Sequence, residues 1–204
     1  VYEGERVEAI GEGDAAQIVL TRTPFYAESG GGVTVSGGEP LLHPEFCAEL
    51  FDRLHAESIP CAVDTCGEVP WKAFETVLPH TGLFLYDLKA MDSDLHRRLT
   101  GRGNERILAN LRTLDETGVP VEIRMPVVPG LNDSPEEFAA AGRFLSGLRH
   151  LTGVRLLAYH SFARSKYESV GHEVTLPDVP SPSPEHRRKL ADILIGFGVN
   201  VLEK

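Results

Sequence analysis

The sequence predicts an α/β fold of repeated βα units around a parallel sheet, and three observations carry that expectation. Short β-rich runs alternate with amphipathic stretches at intervals of roughly 25 to 40 residues, the period of successive βα units. Five runs read as strands, Gly32–Ser36, Pro60–Asp64, Leu83–Asp87, Val121–Met125 and Val154–Tyr159, each mostly apolar as strands buried on both faces of a parallel sheet would be. Polar groups gather at the carboxyl ends of these same strands.

The intervening segments have helical spacing. Phe46, Leu50, Phe51 and Leu54 share one face, as do Ile107, Leu108, Leu111 and Leu114, whose run closes at Gly118. Ser134-Pro135-Glu136-Glu137 reads as a capping box ahead of Phe138, Ala141, Phe144, Leu145 and Leu148. Ser183-Pro184 opens a last helix with Leu190, Ile193, Leu194 and Phe197 inward and Gly198 at its end. The proline-rich tract Thr175–Pro184 reads as an extended surface connection. Such units close as a doubly wound sheet or as a full or partial barrel, and both put functional groups at the strands' carboxyl ends.

A chain of 204 residues is expected to fold as one domain without disulfides. Its net charge of -10, with no Lys/Arg cluster among aromatics, argues against a nucleic-acid partner. No apolar run is long enough to cross a bilayer, and Val1 to Gly13 has no apolar signal core, so the expected location is the cytoplasm with no membrane role. The three cysteines, Cys47, Cys61 and Cys66, are irregularly spaced and form no C-x-x-C pair, which fits reduced core thiols.

The strand-end groups form a rim: Ser36-Gly37-Gly38-Glu39-Pro40 after the first strand, Asp64-Thr65 after the second, Asp87-Leu88-Lys89 after the third, Arg124 in the fourth and His160 after the fifth. Taken singly, Gly37-Gly38-Glu39 is also a Gly-rich turn, Asp64 or Asp87 a loop-capping carboxylate, and Arg124 the partner of a nearby acid. No G-x-x-x-x-G-K-[ST] phosphate loop occurs.

Taken together, Gly30 to Leu42 with its Gly37-Gly38-Glu39 element, Val63-Asp64-Thr65-Cys66-Gly67, Tyr86-Asp87-Leu88-Lys89, Ile123 to Gly130 and Leu157-Ala158-Tyr159-His160 resemble the radical S-adenosylmethionine (SAM) superfamily. Their order and spacing are similar to those of the activating enzymes of glycyl radical enzymes, of the pyruvate formate-lyase activating type. Pro24-Phe25-Tyr26 also looks like that family, and the resemblance runs from about Thr21 to the C-terminus. It implies a partial (β/α)6-type barrel, residues 1–204 being a single core domain that is incomplete at its N-terminus and lacks the first strand.

The resemblance also implies a chemistry: SAM and a [4Fe-4S] cluster, an electron from a flavodoxin or ferredoxin-type donor, and removal of hydrogen from a glycine of a glycyl radical enzyme. Gly37, Gly38 and Glu39 would bind the SAM amino end, Lys89 and His160 its carboxylate and ribose side, and Arg124 the cofactor. Asp64, Thr65 and Asp87 would ring a monovalent cation. Tyr159 to Tyr167 resembles a segment that receives the partner's glycyl loop through His160 and Lys166, with Ala163 where glycine is usual.

The family's C-x-x-x-C-x-x-C triad, whose thiolates hold the cluster, is missing from these residues. A chain that begins after the triad, and is inactive alone, is the expectation. A cluster-less SAM-binding or partner-binding protein on the same scaffold, and an acid–base barrel enzyme using His160 and Asp87 on a small metabolite, remain as alternatives.

Overall fold

The computed structural model describes residues 31–159 and 179–202. Five strands, β1 (Val33–Val35), β2 (Cys61–Thr65), β3 (Leu83–Asp87), β4 (Val121–Val127) and β5 (Leu151–Ala158), are all parallel and pair in chain order. A doubly wound sheet reverses its order at a switch point. An unbroken order belongs to a sheet wound in one sense, as in a barrel, and this separates the two closures that the residues alone left open.

Side-chain burial gives the same answer. Along β2, β3 and β4 residues alternate between buried and half-exposed. Val63, Thr65, Phe84, Tyr86, Ile123 and Val127 face a continuous apolar core, while Asp64, Asp87, Glu122 and Arg124 face the other way. The expectation of strands buried on both faces is thereby corrected. One face is packed; the other is partly open and ionisable.

The helices supply the packed layer. α1 (Pro44–Ala56) buries Cys47, Phe51 and Leu54, with Leu50 partly covered. Phe46, expected inward, is 41% exposed, and Cys47 takes its place one residue on. Two helices escaped the sequence reading: α2 (Trp71–Val77), which brings Phe74 against Phe84 and Tyr86, and α3 (Ser93–Thr100). The limits of α3 have clear causes, since Asp92 accepts a hydrogen bond from Leu95 N and Gly101, at φ 82°, closes the last turn.

α4 (Glu105–Glu116) buries Ile107, Leu111 and Leu114 as expected. α5 (Pro135–Leu145) starts at Ser134, whose hydroxyl accepts from Glu137 N, but the capping box is only half made. Glu137 does not reach back to Ser134; it accepts from Met91 N and Asp92 N instead. α6 (Pro184–Gly196) is capped by Ser183 and buries Leu190 and Leu194. The tail beyond it does more than end the chain: Val201 bridges in parallel to Val154, adding a rudimentary sixth position beside β5. Of the proline-rich tract, residues 179–183 are described and are non-helical; the rest, like Pro24-Phe25-Tyr26, lies outside the described residues.

The turn after β2 depends on one glycine. Gly67 has φ 74°, and a Cβ there would overlap the hydroxyl of Tyr86, which is fully buried and donates to Ile107 O at 2.8 Å. Left-handed strain of about 1 kcal/mol and overpacking of about 1–3 kcal/mol add. Gly67→Ala is expected to lower unfolding free energy by about 2–4 kcal/mol in urea titrations. A loss below about 0.5 kcal/mol would mean that this turn moves freely and does not fix the residues beside it.

Candidate functional site

After β1 the chain turns through Gly37 (φ 89°) and Gly38 (φ 50°). Nothing stands within 4 Å of a Cβ at either position, so the glycines are there for the left-handed backbone and not for room, and the turn stays open. Glu39 then closes it. One carboxylate oxygen accepts from Leu41 N at 3.1 Å and from the Thr65 hydroxyl at 2.8 Å, and the other accepts from Cys66 N at 2.8 Å. The same side chain caps the turn Pro40–Leu42 and ties β1 to the end of β2. A carboxylate has about four lone-pair positions, so about one is left for a ligand.

On the open face Arg124 reaches across β3 from β4 and donates to Asp64 at 2.7 Å; Asp64 also accepts from the Ser36 hydroxyl at 2.8 Å. Lys89 donates to Asp87 at 2.8 Å. Glu122 and Arg155 pair further down the same face, at 2.8 Å. Each of these ionisable groups therefore has an opposite charge against it, as partial burial demands.

The described members of the rim expected from sequence stand at the strand ends, in more than one local arrangement. Glu39, Asp87 and Lys89 line one cavity. Arg124 is engaged by Asp64. Asp64, Thr65 and Asp87 are not drawn into one ring, because Asp64 and Thr65 are consecutive on β2 and point to opposite faces, Thr65 towards Glu39. Among the described residues no group of three or more His, Cys, Asp or Glu could hold a metal ion. His160 and Lys166 lie outside the described residues.

The cavity measures about 380 Å³ and lies between the ends of β2 and β3 and the helices α3 and α4. Its outer wall is formed by Glu68, His96, Thr100 and Arg102, none of which the sequence reading found. His96 is 3% exposed, with Nδ1 2.7 Å from Arg102 O, so in the neutral Nδ1–H form Nε2 keeps a lone pair. The signal that could have found it was the helix itself, framed by Asp92 and Gly101.

The cysteines do not fit an iron–sulfur cluster. Cys47 lies in α1 with its sulfur on Pro40 O at 3.4 Å, and Cys61 lies in β2 with its sulfur on Ile59 O at 3.5 Å. Burial pushes both thiols up to about 11, Cys47 with a further contribution from the Glu39 charge. Cys66 is raised too, again chiefly by burial. Cluster ligation needs thiolates converging on one cluster, whereas Cys47 and Cys61 are protonated core groups on different elements and Cys66 alone borders the cavity. The open Gly37-Gly38 turn, Glu39 and the Asp87–Lys89 pair do fit the amino-acid end of a ligand such as SAM, with backbone carbonyls and a carboxylate for an ammonium and Lys89 for a carboxylate.

Comparison with known proteins agrees. The radical SAM superfamily profile matches residues 22–141. The isethionate sulfite-lyase activating enzyme of Desulfovibrio desulfuricans is 42% identical over 169 residues, 82% of this chain and 54% of the relative. The pyruvate formate-lyase-activating enzyme of Clostridium pasteurianum is 36% identical over 176 residues, 86% of this chain and 74% of the relative. A crystallised domain of pyruvate-formate lyase-activating enzyme from Bacteroides vulgatus superposes with a TM-score of 0.72 at 34% identity, over 84% of this chain and 98% of the domain. The chain spans about half the length of relatives such as the first of these. No helix among the described residues is long and apolar enough to cross a membrane.

The two electrostatic features can be checked without any ligand. Glu39→Ala removes three hydrogen bonds to a charge and is expected to cost about 2–4 kcal/mol in a denaturant titration; a change within 0.5 kcal/mol would mean the carboxylate is not a structural tie. At pH 8 a thiol at about 11 is ionised in roughly one molecule in a thousand. Cys47 and Cys61 should react with iodoacetamide at least a hundredfold more slowly in the folded chain than in urea. Because folding raises these pKa values, their neutral forms stabilise the fold below pH 9, and that contribution is lost as pH rises from 9 towards 11.

Proposed function

This chain belongs to the radical SAM superfamily, among the activating enzymes of glycyl radical enzymes, and on that footing we propose that it binds SAM in the cavity at the ends of β2 and β3 and serves to activate a glycyl radical enzyme. The observation that carries the reading is the joint placement of Glu39, which follows the glycine turn, and the Asp87–Lys89 pair around one cavity. A zwitterionic amino-acid end needs an acceptor side and a cationic side in a small enclosure, and a cavity of about 380 Å³ is of small-molecule size.

In this reading the carbonyls of Gly37 and Gly38 and the spare lone pair of Glu39 receive the ammonium, and Lys89, steadied by Asp87, receives the carboxylate. His160 completes the SAM side and, with Lys166, the contact with the partner's glycine loop. A monovalent cation beside Asp64, Thr65 and Asp87 would be met by Asp64 Oδ1, since Arg124 and Ser36 both bond Oδ2. Radical SAM enzymes use SAM with a [4Fe-4S] cluster, and bound SAM supplies hydrogen-abstracting radical chemistry on one-electron reduction. The cysteines of this chain do not fit that cluster. The electron donor is proposed to be a flavodoxin or a ferredoxin.

The test is an anaerobic reaction of a protein carrying this chain with a cluster-binding C-x-x-x-C-x-x-C segment, SAM, a reduced flavodoxin and a candidate glycyl radical enzyme. The expected result is a glycyl radical doublet by electron paramagnetic resonance and release of 5′-deoxyadenosine, both abolished by Lys89→Met. SAM cleavage that leaves no radical on any such partner would overturn the activating role. A stable [4Fe-4S] spectrum from residues 1–204 alone would overturn the assignment of the three cysteines.

A further inference from the structure

Lys89 can face the cavity only if the irregular backbone that carries it is held still. After β3 the chain leaves the sheet and runs through Lys89, Ala90, Met91 and Asp92 before α3 begins. Side chains from three distant places hold this stretch. Asn104 donates from Nδ2 to Ala90 O at 2.9 Å and to Met91 O at 2.8 Å. Glu137 accepts from Met91 N at 2.7 Å and from Asp92 N at 3.1 Å. Asn132 donates from Nδ2 to Lys89 O at 2.8 Å.

Asn132 differs from the other two in what else it holds. The same Nδ2 donates to Pro126 O at 2.7 Å, and Oδ1 accepts from Val128 N at 2.8 Å. One amide, 5% exposed, thereby locks the carbonyl of Lys89 to the last residues of β4, the strand that carries Arg124. Its own loop is anchored from the far side, since Asp133 accepts from Gly130 N at 2.8 Å and lies 2.8 Å from His186 Nε2 on α6. The bond to Lys89 O is the long-range member of the set. The others would suffice to shape the loop.

The geometry points to Asn132 as a positioning residue for Lys89: its buried amide fixes the backbone of Lys89 against β4, and through it the placement of the Lys89 ammonium against the carboxylate end of the bound SAM-type ligand. This rests on the SAM reading of the cavity. A long flexible lysine loses affinity for a carboxylate when its backbone origin wanders, because ordering it then costs more on binding. The effect should fall on ligands that have the carboxylate and spare those that lack it.

The discriminating pair is S-adenosylhomocysteine, which has the amino-acid end, and 5′-methylthioadenosine, which lacks it; both lack the sulfonium and are unreactive. Titrations of this chain are compared for the wild type, Asn132→Asp, which keeps the acceptor for Val128 N and loses both donated bonds, and Lys89→Met. Asn132→Asp is expected to weaken S-adenosylhomocysteine about tenfold and to leave 5′-methylthioadenosine within twofold. Lys89→Met should do the same, and the double variant should lose little beyond either single one.

If Asn132→Asp has no cooperative melt, Asn132→Ser, which also vacates both carbonyls, gives the same comparison. Equal weakening of both ligands, no weakening of either, or additive losses in the double variant would each overturn the positioning role while leaving the SAM reading intact. A wild-type chain that binds neither ligand, or that does not prefer the one with the amino-acid end, would overturn the SAM reading and this inference with it.

Discussion

The Glu39 carboxylate is the most heavily bonded of the polar ties between the ends of β1 and β2, beside the Ser36–Asp64 bond on the open face of the sheet. With donors from Leu41 N, Thr65 Oγ1 and Cys66 N, it fixes the glycine turn after β1 against the loop after β2. The need for such a tie follows from the architecture. A sheet covered on both faces has its strand ends gripped between two helix layers, but among the described residues this one is packed on a single side, and its other face is organised by polar side chains.

The same need explains the buried amides. Asn104 serves the loop after β3, Asn132 joins that loop to the end of β4, and Asn110 in α4 donates to Gly67 O at 2.9 Å and Val69 O at 2.8 Å in the loop after β2. Irregular backbone beside a cavity cannot satisfy its carbonyls through a strand ladder, and a buried carbonyl without a donor costs about 1–3 kcal/mol. An asparagine amide offers two donors from a short side chain, so one residue can serve two carbonyls with little entropy lost. Rigid strand-end loops are the result.

How much of this was legible depended on range. β3 was read to the residue, because its apolar run is bounded by Gly82 and by Asp87. The caps Ser134 and Ser183 were legible because an N-cap is a local bond. The rim of Glu39, Asp87 and Lys89 was legible through resemblance and emerged around one cavity. Phe46 was misplaced because Cys47, a small apolar residue, gave a weak inward signal beside a phenylalanine. α3 was missed because its polar sequence, Ser93 to Thr100, buries only Leu95 and His96. Glu137 was assigned to its own helix when its partners lie at Met91 and Asp92. These are contacts between residues far apart in sequence, which periodicity does not encode.

The pairing of charges on the open face bears on how such a site can bind a zwitterion. Asp64–Arg124, Asp87–Lys89 and Glu122–Arg155 place neutralised pairs along one surface of a chain whose net charge is -10. A lone buried lysine would lose its charge to desolvation, and a lone carboxylate would repel the acid end of a ligand. The Lys89 ammonium has Asp87 as its partner and, having three N–H groups, keeps donors for a ligand. In the proposed binding mode a ligand's ammonium would meet Glu39, which is already fixed by three donors and has little side-chain freedom left to lose. The structural bonds that spend most of the Glu39 lone pairs are therefore the ones that make its remaining acceptor position effective, because the ordering of that side chain has been accomplished by folding before any ligand arrives.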